Sequence, residues 1–286
     1  MTNSSLAHAV EKFSAIANSF SDLDLERDWA WGAYDEGVRF AFFRVYEDLR
    51  ELAARLAAER SANGPATTTA QYILAQHHTA FRDLQAVLLG ITGEDALREP
   101  GDEEWPLITT LLHIVQAEKT FHAVNHYAIE RVRVKDQRPL EMPEETWQDY
   151  WISDAFEEVK ESQSLGRLMG YYGELHWRVV HDFSGVQGDE LSTPAVFWEG
   201  EPMPVEFRLH RFDSHLRQHT VQVEKTLDLL ELQPNEAKRL LRLIYSSLAE
   251  VEGTAIGVPG FGLEQRTALA GKIAKRADEI ETLVKE

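Results

Sequence analysis

Apolar side chains recur at spacings of three and four along most of the chain, the signature of helices with one buried face. Residues 5–20 and 31–60 read as two such helices. The second runs through Leu49, Leu52, Ala53, Leu56 and Ala57 and stops at Ser61, Asn63, Gly64 and Pro65. Thr67, Thr68 and Thr69 then offer caps for a first core helix with Ile73, Leu74, Phe81, Leu84, Leu88 and Ile91 on one stripe, closed by Gly90 and Gly93. An acidic loop, Glu94 to Glu104, leads to Trp105 and Pro106, whose fixed φ suits the opening of a second core helix that continues to about Val132. A third core helix carries Leu165, Leu168, Met169, Tyr172, Leu175, His176, Val179 and Phe183 and is ended by Gly185 and Gly188. The fourth carries Val205, Leu209, Phe212, Leu216, Val223, Leu227 and Leu230. Residues 133–160, with Pro139, Pro143 and the aromatics Trp147, Tyr150, Trp151 and Phe156, read as a long connection enclosing one short helix. Two more helices, about 235–251 and 262–284, complete the chain.

This pattern predicts an all-α protein: a four-helix bundle over residues 63–233, an N-terminal helical extension over 1–62, and C-terminal helices over 234–286 that pack with that extension as a second layer. Prolines and glycines are few and gather mainly between these segments, which favours long helices over many short strands. The surplus of amphipathic helices makes a homodimer the expected assembly.

Composition removes several function classes. The formal charge of −19, with no run of Lys or Arg, repels a phosphate backbone or an anionic lipid surface, so neither nucleic acid nor membrane is an expected partner. No stretch of eighteen apolar residues occurs and Met1 to Val10 lack the basic head and apolar core of a signal peptide, so the expected location is cytoplasmic. The absence of cysteine excludes disulfides, thiolate metal sites and a cysteine nucleophile. Metal chemistry must then use histidine and carboxylate, and a thiol can enter only on a substrate.

The histidines carry the candidate chemistry. His215 and His219 are four apart on the fourth core helix, about 40° around its axis and one turn along it, so both imidazoles address one point. They stand three residues after Phe212 and Leu216 and so belong to the inward stripe. Gln222, three further on, shares that face and can orient a ligand. Taken alone, the spacing fits a metal site or two core histidines bonded to neighbouring carbonyls and carboxylates. His113, between Leu112 and Ile114 on the second core helix, is the best third partner. His122 and His126 are also four apart, but His122 lies nine positions and therefore about 180° from His113, so those two cannot serve one interior site. An exposed or inter-layer role is expected for His122 and His126. His176 is either a further ligand or outer group of the site or a satisfied core histidine. Of the adjacent His77 and His78 at most one is expected to face inward, and both read as packing or surface residues. Trp105, Tyr172 and Glu174 are candidates for lining a pocket.

Trp105 followed eight residues later by His113, and then the segment His215-Leu216-Arg217-Gln218-His219-Thr220-Val221-Gln222, resemble the DinB/YfiT-like family of metal-binding four-helix bundles, whose second helix opens W-x7-H and whose last carries H-x-x-x-H with a Gln three residues on. The resemblance covers residues 66–232. It implies a three-histidine site, His113, His215 and His219, for a divalent metal ion (zinc, nickel, iron or manganese), with coordination positions left open. It also implies a metal-dependent transferase that activates a low-molecular-weight thiol toward an electrophilic small molecule. The alternatives are a non-catalytic metal- or small-molecule-binding protein of a stress response, and a metal-dependent hydrolase using bound water.

Overall fold

Gly37 decides where the second helix begins. A computed structural model describes residues 5–101, 103–135, 137–152 and 155–285. In it Gly37 has φ +76°, and a Cβ there would lie 2.8 Å from the Arg27 carbonyl oxygen. The helix expected from residue 31 therefore starts at Val38, whose amide donates to that same carbonyl at 2.9 Å. Residues 31–34 instead form a tight turn in which Trp31 and Tyr34 exchange backbone hydrogen bonds.

The described residues form twelve α-helices, one short 3-10 turn and one hairpin: α1 Ser5–Ala17, α2 Val38–Asn63, α3 Thr69–Val87, α4 Gly93–Leu97, α5 Leu107–Arg133, α6 Glu144–Ile152, α7 Phe156–Ser162, α8 Leu165–Phe183, α9 Gly188–Leu191, α10 Val205–Leu229, α11 Glu236–Gly253 and α12 Leu263–Lys285, with β1 Pro194–Val196 and β2 Pro202–Pro204 between α9 and α10. The all-α class expected from periodicity is the class observed. No described helix is long and apolar enough to cross a membrane.

The chain divides into two compact units, each with its own set of long helices. The first comprises residues 1–67, 81–90 and 233–286. Within it α1 packs along α12, and α2 along α11. Their contact faces bury Leu6, Val10, Phe13, Phe42, Leu49, Leu241, Ile244, Leu248, Ile273 and Ile280. The second comprises residues 68–80 and 91–232. Within it α10 runs along α5, and α8 packs on the other side of α5. The first half of α3 reaches α8 through Gln71, whose Nε2 donates to the Ser184 carbonyl at 3.1 Å, and reaches α10 through the His77 ring, 5.2 Å from that of Phe212.

Three local features differ from the expectation. The acidic loop contains α4, started by a reciprocal capping box between Thr92 and Asp95. The long connection holds two short helices, α6 and α7, where one was expected. The segment between α9 and α10, for which periodicity predicts no element, folds into the antiparallel pair β1–β2, with Pro194 opposite Pro204 and Val196 opposite Pro202. Prolines cannot donate to a ladder, so this hairpin stays short, and Pro204 immediately precedes α10.

Candidate metal centre

Helix α10 presents His215 and His219 one turn apart on its buried face, and α5 presents His113 near its first turns. One ligand-capable nitrogen from each of the three lies within 4.8 Å of the others. His215 Nε2 and His113 Nε2 stand 3.3 Å apart. Two nitrogens bound at about 2.05 Å to one tetrahedral ion are about 3.3 Å apart, so the spacing already suits a shared metal. The ring centroids are 4.4 Å (His215 to His219), 4.6 Å (His113 to His219) and 5.1 Å (His113 to His215) apart, and the planes are tilted so that no two rings stack face to face.

Hydrogen bonding fixes which nitrogen of His219 faces the centre. Gln222 Oε1 lies 2.8 Å from His219 Nδ1 and accepts its proton, which leaves the Nε2 lone pair free. Burial, followed by the charges that His219, His113 and Arg211 would place beside it, lowers the His215 pKa to about 3. Burial and then His219 lower that of His113. Both rings are therefore neutral at neutral pH, the state a metal ligand requires. His215 Nδ1 has no hydrogen-bond partner although it is buried. Nitrogen lone pairs converging with few protons between them repel one another, and a Lewis acid placed among them turns that repulsion into bonds. The residues fit a divalent metal by donor type, spacing and protonation state.

His215 and His219 are buried, whereas His113 is partly open to solvent. Trp105, 45% exposed, stands edge-on to His113 at 5.7 Å, and Phe121 stands edge-on to His215 at 5.5 Å. The segment carrying Trp105 is held to α10 by an ion pair between Glu104 and Lys225. Of the three residues considered for a pocket lining, only Trp105 is beside the cluster. Tyr172 is fully buried with its hydroxyl on Glu118 Oε1 at 2.6 Å, and Glu174 is exposed.

Two other groups form among the remaining histidines. His77 and His78 are both fully buried, which corrects the reading of them as packing or surface residues with at most one facing inward. Helix α3 meets α8 on one side and α10 on another, so positions 100° apart both point into the bundle. His176 is the satisfied core histidine, with Nε2 at 2.8 Å from His78 Nδ1 and Nδ1 at 3.1 Å from His77 Nε2. His77 Nε2 lies 3.5 Å from Glu118 Oε2, so one run of buried polar groups passes from Tyr172 through Glu118 to the three rings. Sequence periodicity gave no sign of Glu118, whose partners lie on α3 and α8.

The second group is His122, buried between α5, α6 and α8. Its Nε2 is 2.8 Å from Asp182 Oδ2 and its Nδ1 2.6 Å from the Tyr150 hydroxyl. Burial would raise the Asp182 pKa, but the hydrogen bonds from His122 and His181 outweigh it and bring it to about 2. His126 is exposed. His126 is thus exposed, as one of the two expected roles had it, whereas His122 is neither exposed nor between layers but buried among helices of a single unit.

The buried run has a pH signature. Burial pushes the Glu118 pKa up from 4.5 to about 8, against the hydrogen bond from Tyr172, and pushes that of His77 down from 6.5 to about 3. A carboxyl that keeps its proton on folding contributes stability that is full below its unfolded pKa and is lost as pH rises through the folded one. The buried neutral His77 acts in the opposite sense, its stability growing from about pH 3 to 6.5. Between about pH 6.5 and 8 only the Glu118 effect remains, so stability is expected to fall with rising pH there. Urea titrations of the wild type and Glu118→Gln across that window check this: the variant should lose the slope, and equal slopes would contradict the assignment.

A helical bundle that brings three imidazoles to one point defines the class, an all-α protein with a histidine-only cluster of metal-site geometry. Residues 76–223, more than half of the 286-residue chain, match the family model of the DinB superfamily, and the chain belongs to that superfamily. His113, His215, His219 and Gln222 all lie within the matched segment. No curated protein and no solved structure matches the chain.

Proposed function

We propose that the protein binds one divalent metal ion through His113, His215 and His219 and acts as a metal-dependent transferase that joins a low-molecular-weight thiol to an electrophilic small molecule. The observation that carries the reading is the convergence of three imidazoles with a partly open side at His113. Membership of the DinB superfamily and the absence of cysteine support it, since a thiol must then come from a cosubstrate. When bound, the metal supplies Lewis acidity, lowering the pKa of a thiol or water that reaches its open side.

The chain's own residues do the rest. Gln222 holds His219 in the tautomer that offers Nε2 inward. Trp105 and Phe121 place aromatic edges beside two of the rings, Phe121 on the buried His215 and Trp105 at the open side by His113. In the overall reaction a sulfur–carbon bond forms, the leaving group departs with its bonding pair, and the thiol proton passes to solvent. Protein loaded with zinc, nickel, iron or manganese should consume a bacterial thiol together with a model electrophile such as chlorodinitrobenzene, and His219→Ala should not. If metal is bound but no thiol in the panel turns over, the transferase reading is lost and a binding or hydrolytic role takes its place.

A further inference from the structure

Helix α10 carries four cationic side chains, and three of them are neutralised. Arg208 holds Glu199 Oε2 at 3.0 and 3.1 Å, Arg217 holds Asp213 Oδ1 at 2.7 Å, and Lys225 holds Glu104. Arg211 differs: among the described residues it has no carboxylate partner, and its one hydrogen bond is a long contact of 3.3 Å from Nη1 to the Ser214 hydroxyl. It is half-buried and lies one turn, roughly 6 Å along the axis, before His215. Four residues apart on one helix, Arg211 and His215 lie on the same face, so the guanidinium stands on the side of α10 that carries the histidine cluster.

An unpaired guanidinium in this position is unfavourable by itself and more so with a dication nearby. The cluster contains no carboxylate, so three neutral ligands leave the charge of a bound divalent ion uncompensated. In a chain of net charge −19 that holds every other cation of this helix in an ion pair, two positive charges are left facing one region. An anion lying between them relieves both. Beside the metal the flanks are aromatic, with Trp105 at His113 and Phe121 at His215, and neither can supply that anion.

We propose that Arg211 is the anion-receiving residue of this site and that the small molecule bound there carries a carboxylate in addition to the group presented to the metal. This rests on the metal-site reading above and narrows the substrate class it leaves open. Guanidinium–carboxylate pairing is charge-assisted and favours two parallel N–H···O bonds, so a single such contact distinguishes a carboxylate from an uncharged isostere by about tenfold or more.

The test compares 3-mercaptopropionate with its uncharged amide, titrated calorimetrically into Co(II)-loaded and metal-free protein, with Co(II) occupancy read from its visible spectrum. The wild type should bind the acid about tenfold more tightly than the amide, Arg211→Gln should bind the two alike, and Arg211→Lys should keep part of the preference. Comparing ratios within each variant removes the chelation by the probe itself, which is the same in all. A preference unchanged in Arg211→Gln, or none in the wild type, overturns the proposal. Failure of Co(II) to bind refutes the metal reading, and the metal-free titrations then decide the matter: a preference for the acid that disappears in Arg211→Gln sustains the role of Arg211, and its absence ends it. Circular dichroism of the half-exposed variants confirms that they are folded.

Discussion

His215→Ala is expected to reduce bound divalent metal from about one equivalent to near none after equilibrium dialysis, read by elemental analysis. His215 is buried and its Nε2 stands 3.3 Å from that of His113, so its removal leaves two imidazoles and a void where the third donor was. Gln222→Ala should act less severely, weakening affinity by about 10–100-fold through loss of the acceptor that orients His219. His122→Ala, on the opposite face of α5, should keep full occupancy. The same series has a thermal readout: free metal at about 100 times its dissociation constant stabilises the folded wild type by about 2.7 kcal/mol, and His215→Ala should show none of this shift. Undiminished metal in His215→Ala would move the site elsewhere in the chain.

The legible part of this centre was what a single helix can encode. The four-residue step from His215 to His219 and the further three to Gln222 are properties of α10 alone, and the structure places all three on its buried side or against it. The separation of His113 from His122 followed from helical phase on α5, and the two rings do face different neighbours. What periodicity could not supply was pairing across helices. Glu118 meets His77 from 41 positions upstream and Tyr172 from 54 downstream, and Asp182 reaches His122 across 60. Nothing in a local pattern distinguishes such a carboxylate from one on a wet face. The same holds for Arg211, whose lack of a carboxylate partner among the described residues is visible only when the partners of Arg208, Arg217 and Lys225 are known.

At the level of the fold, the long helices were readable because burial repeats with the helical period, and the errors fell where backbone geometry overrode it. Residues 31–37 carry Trp31, Ala33 and Tyr34, an apolar run fit for a first helical turn, but Gly37 takes a positive φ and the aromatics pair among themselves. At His77 and His78 the error was one of width: a helix with neighbours on two sides buries a broader arc than the single stripe assumed. Both cases show context deciding the outcome, and only the first left a trace in the sequence, a glycine.

Glu252→Ala is expected to be among the most destabilising single changes in the unit built from the terminal helices. Arg82, on the second half of α3, has a side chain only 2% exposed. Its Nε and Nη2 donate to the two oxygens of Glu252 at 2.9 and 2.8 Å, and its Nη1 donates to Gln85 Oε1 at 2.8 Å. Burial alone would lower the Arg82 pKa, and the adjacent Glu252 carboxylate more than reverses this, so the guanidinium stays charged. Glu252 also offsets the desolvation of Arg266. Removing it takes away both bonds from Nε and Nη2 and leaves the buried cation only the longer 3.6 Å approach of Glu11 Oε1 to Nη1, a loss of about 3 kcal/mol. In urea this corresponds to a midpoint shift on the order of 2 M. Arg82→Met alone should also be harmful, since it removes both hydrogen bonds that the guanidinium gives the buried carboxylate. The double replacement Arg82→Met with Glu252→Leu should recover part of the loss, because neither member of the pair then remains to be solvated, while Arg266 still loses the charge that offsets its desolvation. Urea denaturation of the four proteins at pH 7 closes the cycle. A loss below about 1 kcal/mol for Glu252→Ala would mean that water reaches Arg82 and that the pair contributes no more than an exposed one.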